Sequence, residues 1–463
     1  MDLMALLVNN IVKTQFSDLT PEAVEVAKKG ILDTVGLILG GSSISGCQLL
    51  VQAIKEMGGK EESTIAVFGG KVPPNLAALA NCAMSRALDI DDVHDVFVLH
   101  PDVVIVPAAL AVAECQKGIT GRNLITAVAL GQDLMVRMGF AAKGKPVNLA
   151  RLNPYKIFPV TGTVGKLKGL DEEQLLNAMG IAYSHLIGDS KAVRDRAMTF
   201  YIQEGEAGRS GVEAVIFAEK GITGSRNILD GELSFFKGIY EQDCNLEALT
   251  SELGLRFMGD DIAFKRYCSC RNTHEAINLA IGMVKSGKID PKRIDKITVR
   301  VNKESYGRTC EPLDRKRRPE SRMDALFSTP FTVASALLKG DVFIDEMTDE
   351  NINDPDVLQL AARVTPVQDD QCDNGWSVGI TVLEIQTTDG QKYSDSQSLP
   401  LGNPQNPIGW DECVEKFKKC ANVAYKPFTN SQIDELIGKL SLLEDLEDCS
   451  QLAQLMVPLT QGQ

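Results

Sequence analysis

The chain has 463 residues, of which 44% are hydrophobic and 24% charged, with a formal net charge of −14. This length exceeds the size at which one hydrophobic core stops growing, so we expect two domains. The ordinary composition excludes disordered and collagen-like proteins. The acidic balance, without a basic tail, argues against a nucleic-acid partner, because phosphate contacts need clustered Lys and Arg. It does not exclude a small acidic substrate.

The amino terminus and the cysteines indicate the cellular compartment in which we expect the protein. The first residues lack the basic flank and small-residue cleavage site of a signal peptide. The apolar stretches are shorter than the roughly 20 residues needed to span a bilayer. The eleven cysteines are odd in number and scattered along the chain. We therefore expect reduced thiols in a cytoplasmic protein without a membrane partner.

The pattern of the first half predicts packed helices. Residues 17–22 supply an N-cap with Pro at the first helical position, and Gly40 and Gly41 end that helix. Residues 74–88 and 103–115 are Ala-rich runs with apolar residues at helical spacing. Small residues on helix faces allow close approach, so we predict a compact bundle.

After about residue 265 the pattern predicts strands. Residues 294–301 and 380–386 alternate apolar and polar side chains, as half-buried strands do. Asp389-Gly390 follows the second run and is typical of a hairpin turn. After Gly409 the pattern again predicts amphipathic helices.

These patterns together predict a mainly α protein with two domains. We expect a large all-helical domain built from both chain ends, residues 1–264 and 402–463. Residues 265–401 are expected to form a smaller α+β lid domain, inserted between the two parts of the first.

The common cofactor motifs are not found. The Gly-Lys pair of residues 162–167 lacks the first Gly and the final Ser/Thr of a phosphate-binding loop, and no GxGxxG follows a strand. Cys268 and Cys270 are separated by one residue, where zinc ligand pairs usually have two or more between them. His274-Glu275 lacks the second His of HExxH. We therefore expect no cofactor and no metal.

The first candidate constellation is a run of carboxylates followed by two of the four histidines. Asp89, Asp91 and Asp92 end an apolar helix, and His94 and His100 follow. Three carboxylates so close together repel one another, and burial raises the pKa of such a group to a value suited to proton transfer. The alternative interpretation is a solvated, acidic helix end.

The second constellation is the basic segment 265–274. Lys265, Arg266, Arg271 and His274 are suited to binding carboxylates, Arg bidentately and Lys as a point charge. The alternative is a solvated charge cluster at a domain junction. The remaining histidine, His185, is interpreted as a buried structural residue.

Six segments resemble one family in order along the chain. They are 29–36 (K-G-I-L-D-T-V-G), 87–92 (A-L-D-I-D-D), 100–111 (H-P, then V-P-A-A-L-A), 205–211 (G-E-A-G-R-S-G), 265–270 (K-R-Y-C-S-C) and 327–331 (F-S-T-P-F). They resemble motifs of the MmgE/PrpD family, whose members include 2-methylcitrate dehydratases, cis-aconitate decarboxylases and iminodisuccinate epimerases.

The resemblance implies a fold and a site. The family fold is a helical domain made of both chain ends with an inserted lid, its members are usually homodimers, and the active site lies between the domains. By position, Asp89 matches an active-site aspartate, His100 a catalytic histidine and Lys265 a pocket lysine. The further residues that we expect to bind substrate are Asp92, His94, Lys156, Arg194, Cys270, Arg271 and His274.

Four positions depart from the family pattern towards apolar groups. Val93 stands where a Thr is usual, Phe158 replaces a His, Phe200 a Lys, and Phe331 a Tyr. Each lost group would bind a carboxylate or move a proton. A substrate with fewer carboxylates, a substrate with a bulkier apolar part, or loss of activity would each explain the change. The cations near the altered segments are Lys156, Lys191, Arg194 and Arg196.

The leading hypothesis is a cofactor-independent lyase, a dehydratase or decarboxylase, acting by acid–base chemistry on a small di- or tricarboxylic acid. His100 and Asp89 would be the proton-transfer pair, and Lys265 would hold a substrate carboxylate. The alternatives are an epimerase of a dicarboxylate and a non-catalytic relative that binds a carboxylate, since one scaffold hosts several functions.

Overall fold

The computed structural model describes residues 2–97, 99–142, 154–186, 188, 190–240 and 244–459. The helices are α1 (Leu3–Lys13), α2 (Pro21–Gly41), α3 (Ser45–Met57), α4 (Pro74–Arg86), α5 (Asp102–Cys115), α6 (Gly121–Ala142), α7 (Ile157–Lys168), α8 (Glu172–Tyr183), α9 (Lys191–Asp195), α10 (Thr199–Glu219), α11 (Phe235–Ile239), α12 (His274–Lys285), α13 (Lys303–Ser305), α14 (Leu313–Arg317), α15 (Arg322–Leu326), α16 (Thr329–Lys339), α17 (Asp349–Ile352), α18 (Pro355–Ala361), α19 (Trp410–Asn422), α20 (Asn430–Ser441) and α21 (Ser450–Leu455). The strands are β1 (Ser63–Thr64), β2 (Lys71–Val72), β3 (Ile294–Val301), β4 (Val364–Gln368), β5 (Thr381–Thr387) and β6 (Lys392–Gln397).

The chain divides into two compact units. Unit 1 comprises Met1–Asp92, Leu99–Ile262 and Gly409–Gln463, and unit 2 comprises Val93–Val98 and Ala263–Ile408. The expectation of a mainly α protein is confirmed. The domain boundaries expected from the sequence stay a prediction. The pattern gave no sign that a six-residue segment after the carboxylate run would group with unit 2.

The local signals of unit 1 lie where the sequence predicts them. Helix α2 begins at Pro21 behind Thr20, whose hydroxyl accepts the backbone N–H of Ala23 at 3.1 Å, and it ends at Gly41. Helix α6 is long and apolar enough to cross a membrane, but 94% of its most apolar window is buried within the fold, which is typical of a core helix.

The Gly-rich segment of α10 allows two helix backbones to approach closely. A Cβ at Gly205 would lie 2.2 Å from the carbonyl oxygen of Leu79 on α4, and one at Gly208 would lie 2.6 Å from Sγ of Cys82. Real side chains do not fit there, so the glycines fix the packing of α10 on α4. This packing brings Phe200, at the start of α10, to Arg86 at the end of α4.

The expectation of an all-helical first domain is wrong in one detail. Strands β1 and β2 pair antiparallel in unit 1, joined by a turn in which Val67, Gly69 and Gly70 have positive φ. Each strand has two residues. A run of two residues is too short to show the alternation by which strands are recognised.

Unit 2 is built on a four-stranded sheet in the order β4-β3-β5-β6. Strand β3 runs parallel to β4 and antiparallel to β5, and β5 and β6 form a hairpin whose turn contains Gly390 at φ +83°. The predicted strand 294–301 and the hairpin are confirmed. Buried and half-buried residues alternate along β5, and α12 packs against β5 and β6.

Candidate active site

The segment 87–92 after α4 carries the three predicted carboxylates, and we call it the aspartate loop. Asp89, Asp91 and Asp92 are each at most 1% exposed, so the alternative of a solvated helix end is wrong. Asp89 has a φ of +59°, in the left-handed region that Asp tolerates better than most residues. Buried carboxylates on a strained backbone need partners to hold them.

Lys416 holds the backbone of the aspartate loop. Its ammonium lies 2.8 Å from Oδ1 of Asp33 on α2 and donates to the carbonyl oxygen of Ile90. Lys416 and Asp33 are both buried. Sequence reasoning missed both residues, although Asp33 belongs to a recognised motif and Lys416 is a lysine on the otherwise apolar face of α19.

Arg86 bridges two carboxylates of the loop. Its Nη1 donates to Oδ1 of Asp89 at 2.5 Å and to Oδ1 of Asp91 at 2.8 Å. The ring of Phe200 covers the guanidinium, with 4.6 Å from Cζ to the ring centroid, a cation–π contact. Burial lowers the pKa of Arg86, but Asp91, Asp89 and Glu204 outweigh burial and raise it above the ordinary value. Sequence reasoning missed Arg86.

His100 is held by the aspartate loop in one tautomer. Its Nδ1 lies 2.8 Å from the carbonyl oxygen of Asp92 and 2.7 Å from Oδ2 of Asp91. A carbonyl oxygen only accepts, so Nδ1 carries the hydrogen and Nε2 carries the lone pair of the neutral ring. The carboxylate that holds the ring is Asp91, which sequence reasoning did not single out. This arrangement is typical of a histidine that exchanges protons with a substrate.

Asp92 and Asp102 form a buried pair of carboxyl groups at the start of α5. Both oxygens of Asp92 accept the backbone N–H of Asp102 at 3.2 Å, and Gln132 donates to Asp102 at 2.9 Å. A Cβ at Gly30 would lie 2.1 Å from Oδ2 of Asp102, so this glycine makes room for the pair. Burial raises the pKa of Asp92 well above its ordinary value, helped by Asp102, and burial raises that of Asp102 to about 7. The carboxylate of Asp92 thus binds the first residue of α5, and its predicted role as a substrate ligand stays a prediction.

The predicted replacement cation Lys156 is already paired. Its ammonium donates to Oε1 of Glu204 at 2.8 Å, and both side chains are buried. The side chain of Arg194 lies outside the part of the structure that is described. Phe158, where the resemblance implies a lost His, packs edge-on against Phe235 in the core.

In unit 2, Arg271 and Asp95 form a buried bidentate ion pair. Nε lies 2.6 Å from Oδ1 and Nη2 lies 2.9 Å from Oδ2. Asn403 donates to Asp95 at 2.8 Å, and Nη1 of Arg271 donates to the carbonyl of Leu401. His274 lies with Nδ1 3.4 Å from Nη1 of Arg271. The alternative of a solvated cluster is therefore wrong for these residues.

The remaining predicted ligands of unit 2 are also buried. Lys265 is 1% exposed and Cys270 is 4% exposed. The backbone N–H of Cys270 donates to the carbonyl of Leu326, the residue before the motif 327–331, at 2.9 Å. His94 is buried and stacks on Phe97 with centroids 5.3 Å apart. Their roles towards a substrate stay predictions.

His185 is not the buried residue that the sequence suggested. It is half-buried in a turn, and its Nδ1 lies 3.1 Å from the carbonyl of Ile181. Among the residues that the structure describes, no group of three or more His, Cys, Asp or Glu side chains is placed to hold a metal ion. All eleven cysteines are thiols.

Glu275 makes the stability of unit 2 depend on pH. Burial raises its pKa from 4.5 to about 8, although Thr381 donates to Oε2 at 2.8 Å. A folded-state pKa above the unfolded one favours folding below about pH 4.5, and this contribution is lost as the pH rises to about 8. We expect the free energy of unfolding in urea to fall by a few kcal/mol between about pH 5 and pH 9, and Glu275→Gln to make that fall smaller while leaving the part that Asp92 and Asp102 contribute.

The control for this measurement is Glu384→Gln on the half-exposed face of β5. It makes the same chemical change in the same unit, and it should leave the pH dependence as in the wild type. A Glu275→Gln variant whose unfolding free energy falls with pH as steeply as that of the wild type would contradict this assignment.

Comparison with known protein families finds the same family in two long ranges of the chain. Residues 6–246 match the MmgE/PrpD N-terminal domain and residues 267–442 match the MmgE/PrpD C-terminal domain. The chain therefore belongs to the MmgE/PrpD family.

The chain is similar to curated proteins over nearly its whole length. It is 26% identical to the cis-aconitate decarboxylase of Homo sapiens over 457 residues, which cover 95% of this chain and 91% of the human protein. It is 26% identical to that of Mus musculus, covering 95% and 90% of the two chains. It is 25% identical to that of Aspergillus terreus, covering 94% and 92%.

Proposed function

We propose that this protein is a lyase that acts by acid–base chemistry, without a cofactor, on a small di- or tricarboxylic acid. The observation that carries the proposal is the geometry of His100. Its ring is held by Asp91 and by the carbonyl of Asp92 with the hydrogen on Nδ1, so the lone pair of Nε2 is the base. Membership of the family and the similarity to cis-aconitate decarboxylases support the choice of reaction class.

The proposed chemistry follows from what an oriented imidazole does. In a dehydration, Nε2 takes a proton from the carbon next to a carboxylate, and the hydroxyl group leaves as water once it is protonated. In a decarboxylation, the ring starts as the imidazolium, CO2 leaves, and Nε2 gives its proton to the carbanion that remains, which returns the ring to its neutral form. In both cases the buried carboxylate of Asp91 stabilises the imidazolium, as the aspartate of a catalytic triad does. We propose that Lys265 binds a substrate carboxylate.

NMR detection of products tests this proposal. The purified full-length protein is incubated separately with citrate, 2-methylcitrate, cis-aconitate and citramalate, and the proton spectrum is followed with time. We expect at least one acid to lose water or CO2 at a rate that depends on protein concentration. Binding of an acid by calorimetry without any turnover would favour the non-catalytic alternative instead.

A further inference from the structure

Two of the cations that the sequence marks as carboxylate ligands, Lys156 and Arg271, are each neutralised within their own unit. Lys156 is paired with Glu204 at 2.8 Å, and both side chains are buried. Arg271 is paired with Asp95 through two hydrogen bonds of 2.6 and 2.9 Å. A cation that already has a buried carboxylate partner attracts a substrate carboxylate only weakly. The charges of the cation and its partner largely cancel at a distance.

Arg86 is neutralised twice, and it lies beside the proposed base. Its Nη1 donates to Asp89 and to Asp91, and the second of these carboxylates also holds His100. The ring of Phe200 covers the guanidinium. Arg86 is 4% exposed, so a substrate carboxylate would have to displace a protein carboxylate to reach it.

The groups that surround His100 in unit 1 bring negative charge. Asp91 lies 2.7 Å from its ring, and the carboxylates of Asp91 and Asp89 share the single guanidinium of Arg86, so one negative charge is left over. Each carboxylate that a substrate carries adds repulsion from these groups, and repulsion is strong where water is excluded. A third substrate carboxylate therefore costs more here than a second one.

From these contacts we infer that the substrate is an acid with two carboxylates rather than three. The inference rests on the proposed function and makes its substrate class narrower. In unit 1 the paired Arg86 and Lys156 leave little cationic surplus for a tricarboxylate, whereas a dicarboxylate meets less of the repulsion beside His100.

Two matched pairs of acids test the inference. Citraconate is cis-aconitate with a methyl group in place of one carboxymethyl group, and citramalate is related to citrate in the same way. Binding is measured by calorimetry and turnover by NMR for all four acids with the wild-type protein. We expect the dicarboxylate of each pair to bind at least about tenfold more tightly, and the acid that is consumed to be a dicarboxylate.

A variant that removes the charge of Glu204 tests the preference for dicarboxylates a second time. Glu204→Gln keeps a hydrogen-bond acceptor for Lys156 but removes the neutralising charge. We expect this variant to shift the preference at least about tenfold towards the tricarboxylate of each pair. Glu213→Gln makes the same change at a more exposed position of α10, where the partner is Arg209, and should leave the preference unchanged.

The outcomes separate the inference from the proposed function. If the wild-type protein binds and consumes a tricarboxylate as well as or better than its dicarboxylate match, the inference is wrong and the lyase assignment stands. If none of the four acids is bound or consumed, the proposed function fails and the inference fails with it. The comparison of the four acids with the wild-type protein tests the inference even if Glu204→Gln does not fold.

Discussion

The His100→Gln variant is expected to lose roughly 100- to 10,000-fold in kcat while its melting temperature stays close to that of the wild type. Glutamine keeps a donor for the carbonyl of Asp92 but has no group that takes a proton near neutral pH. The ring is 15% exposed, so little packing is lost. Steady-state kinetics on the acid identified by NMR, together with thermal unfolding, measure both effects.

The control for His100 is His185→Gln. His185 is half-buried in a turn of unit 1 and is bonded to a backbone carbonyl, so the same substitution tests a histidine with no proposed role. It should leave kcat within about twofold of the wild type. If His100→Gln keeps most of its activity, or loses activity only in proportion to lost folded protein, His100 is not the base.

The Asp91→Asn variant is expected to lose roughly 100-fold or more in kcat with a much smaller change in KM. The amide loses the charge that stabilises the imidazolium, and its NH2 group favours the wrong tautomer of His100. Asp91 is a positioning residue in this account because it acts through His100. Its loss should also move the acid side of the rate–pH profile to lower pH, which a purely structural role would not do.

A second buried carboxylate controls for lost stability. Asp133 on α6 is paired with Arg137 at 2.8 Å and accepts the backbone N–H of Met258. Neither of these partners belongs to the aspartate loop. Asp133→Asn should reduce the melting temperature by an amount comparable to Asp91→Asn, since both break a buried ion pair. The two variants should differ in kcat. If Asp91→Asn and Asp133→Asn lose the same fraction of kcat per folded molecule, the role of Asp91 is only structural.

The elements whose signals are local were predicted from the sequence. Helix α2 has its cap, its first-turn proline and its final glycine within one continuous segment, and buried and half-buried residues alternate along β3 from Ile297 to Val301. The short pair β1 and β2 was missed because two-residue strands carry no period. Pattern reasoning succeeds where a few neighbouring residues decide the conformation.

The partners within the site could not be predicted in the same way. Lys416 meets Asp33 across 383 positions of sequence, and no spacing rule reaches that far. Arg86 reads as an ordinary basic residue in the last turn of a helix, and only the fold shows that it binds two carboxylates. Of three carboxylates in four residues, the sequence offered no reason to choose Asp91 as the partner of His100.

The structure shows the surroundings of three positions where this chain has Phe and the family pattern has a polar residue. Phe200 covers the guanidinium of Arg86, so a position where a Lys was expected now shields a cation from solvent. Phe158 and Phe331 are core residues.

Deuterium exchange tests the central claim, proton transfer at His100, most directly. The wild-type protein and His100→Gln are incubated in D2O with the acid that the NMR panel identifies, and deuterium on carbon next to a carboxylate is measured by NMR. We expect deuterium in the recovered acid or its product with the wild-type protein, and at least about a hundredfold slower incorporation with the variant. Incorporation at an equal rate in both proteins would contradict it.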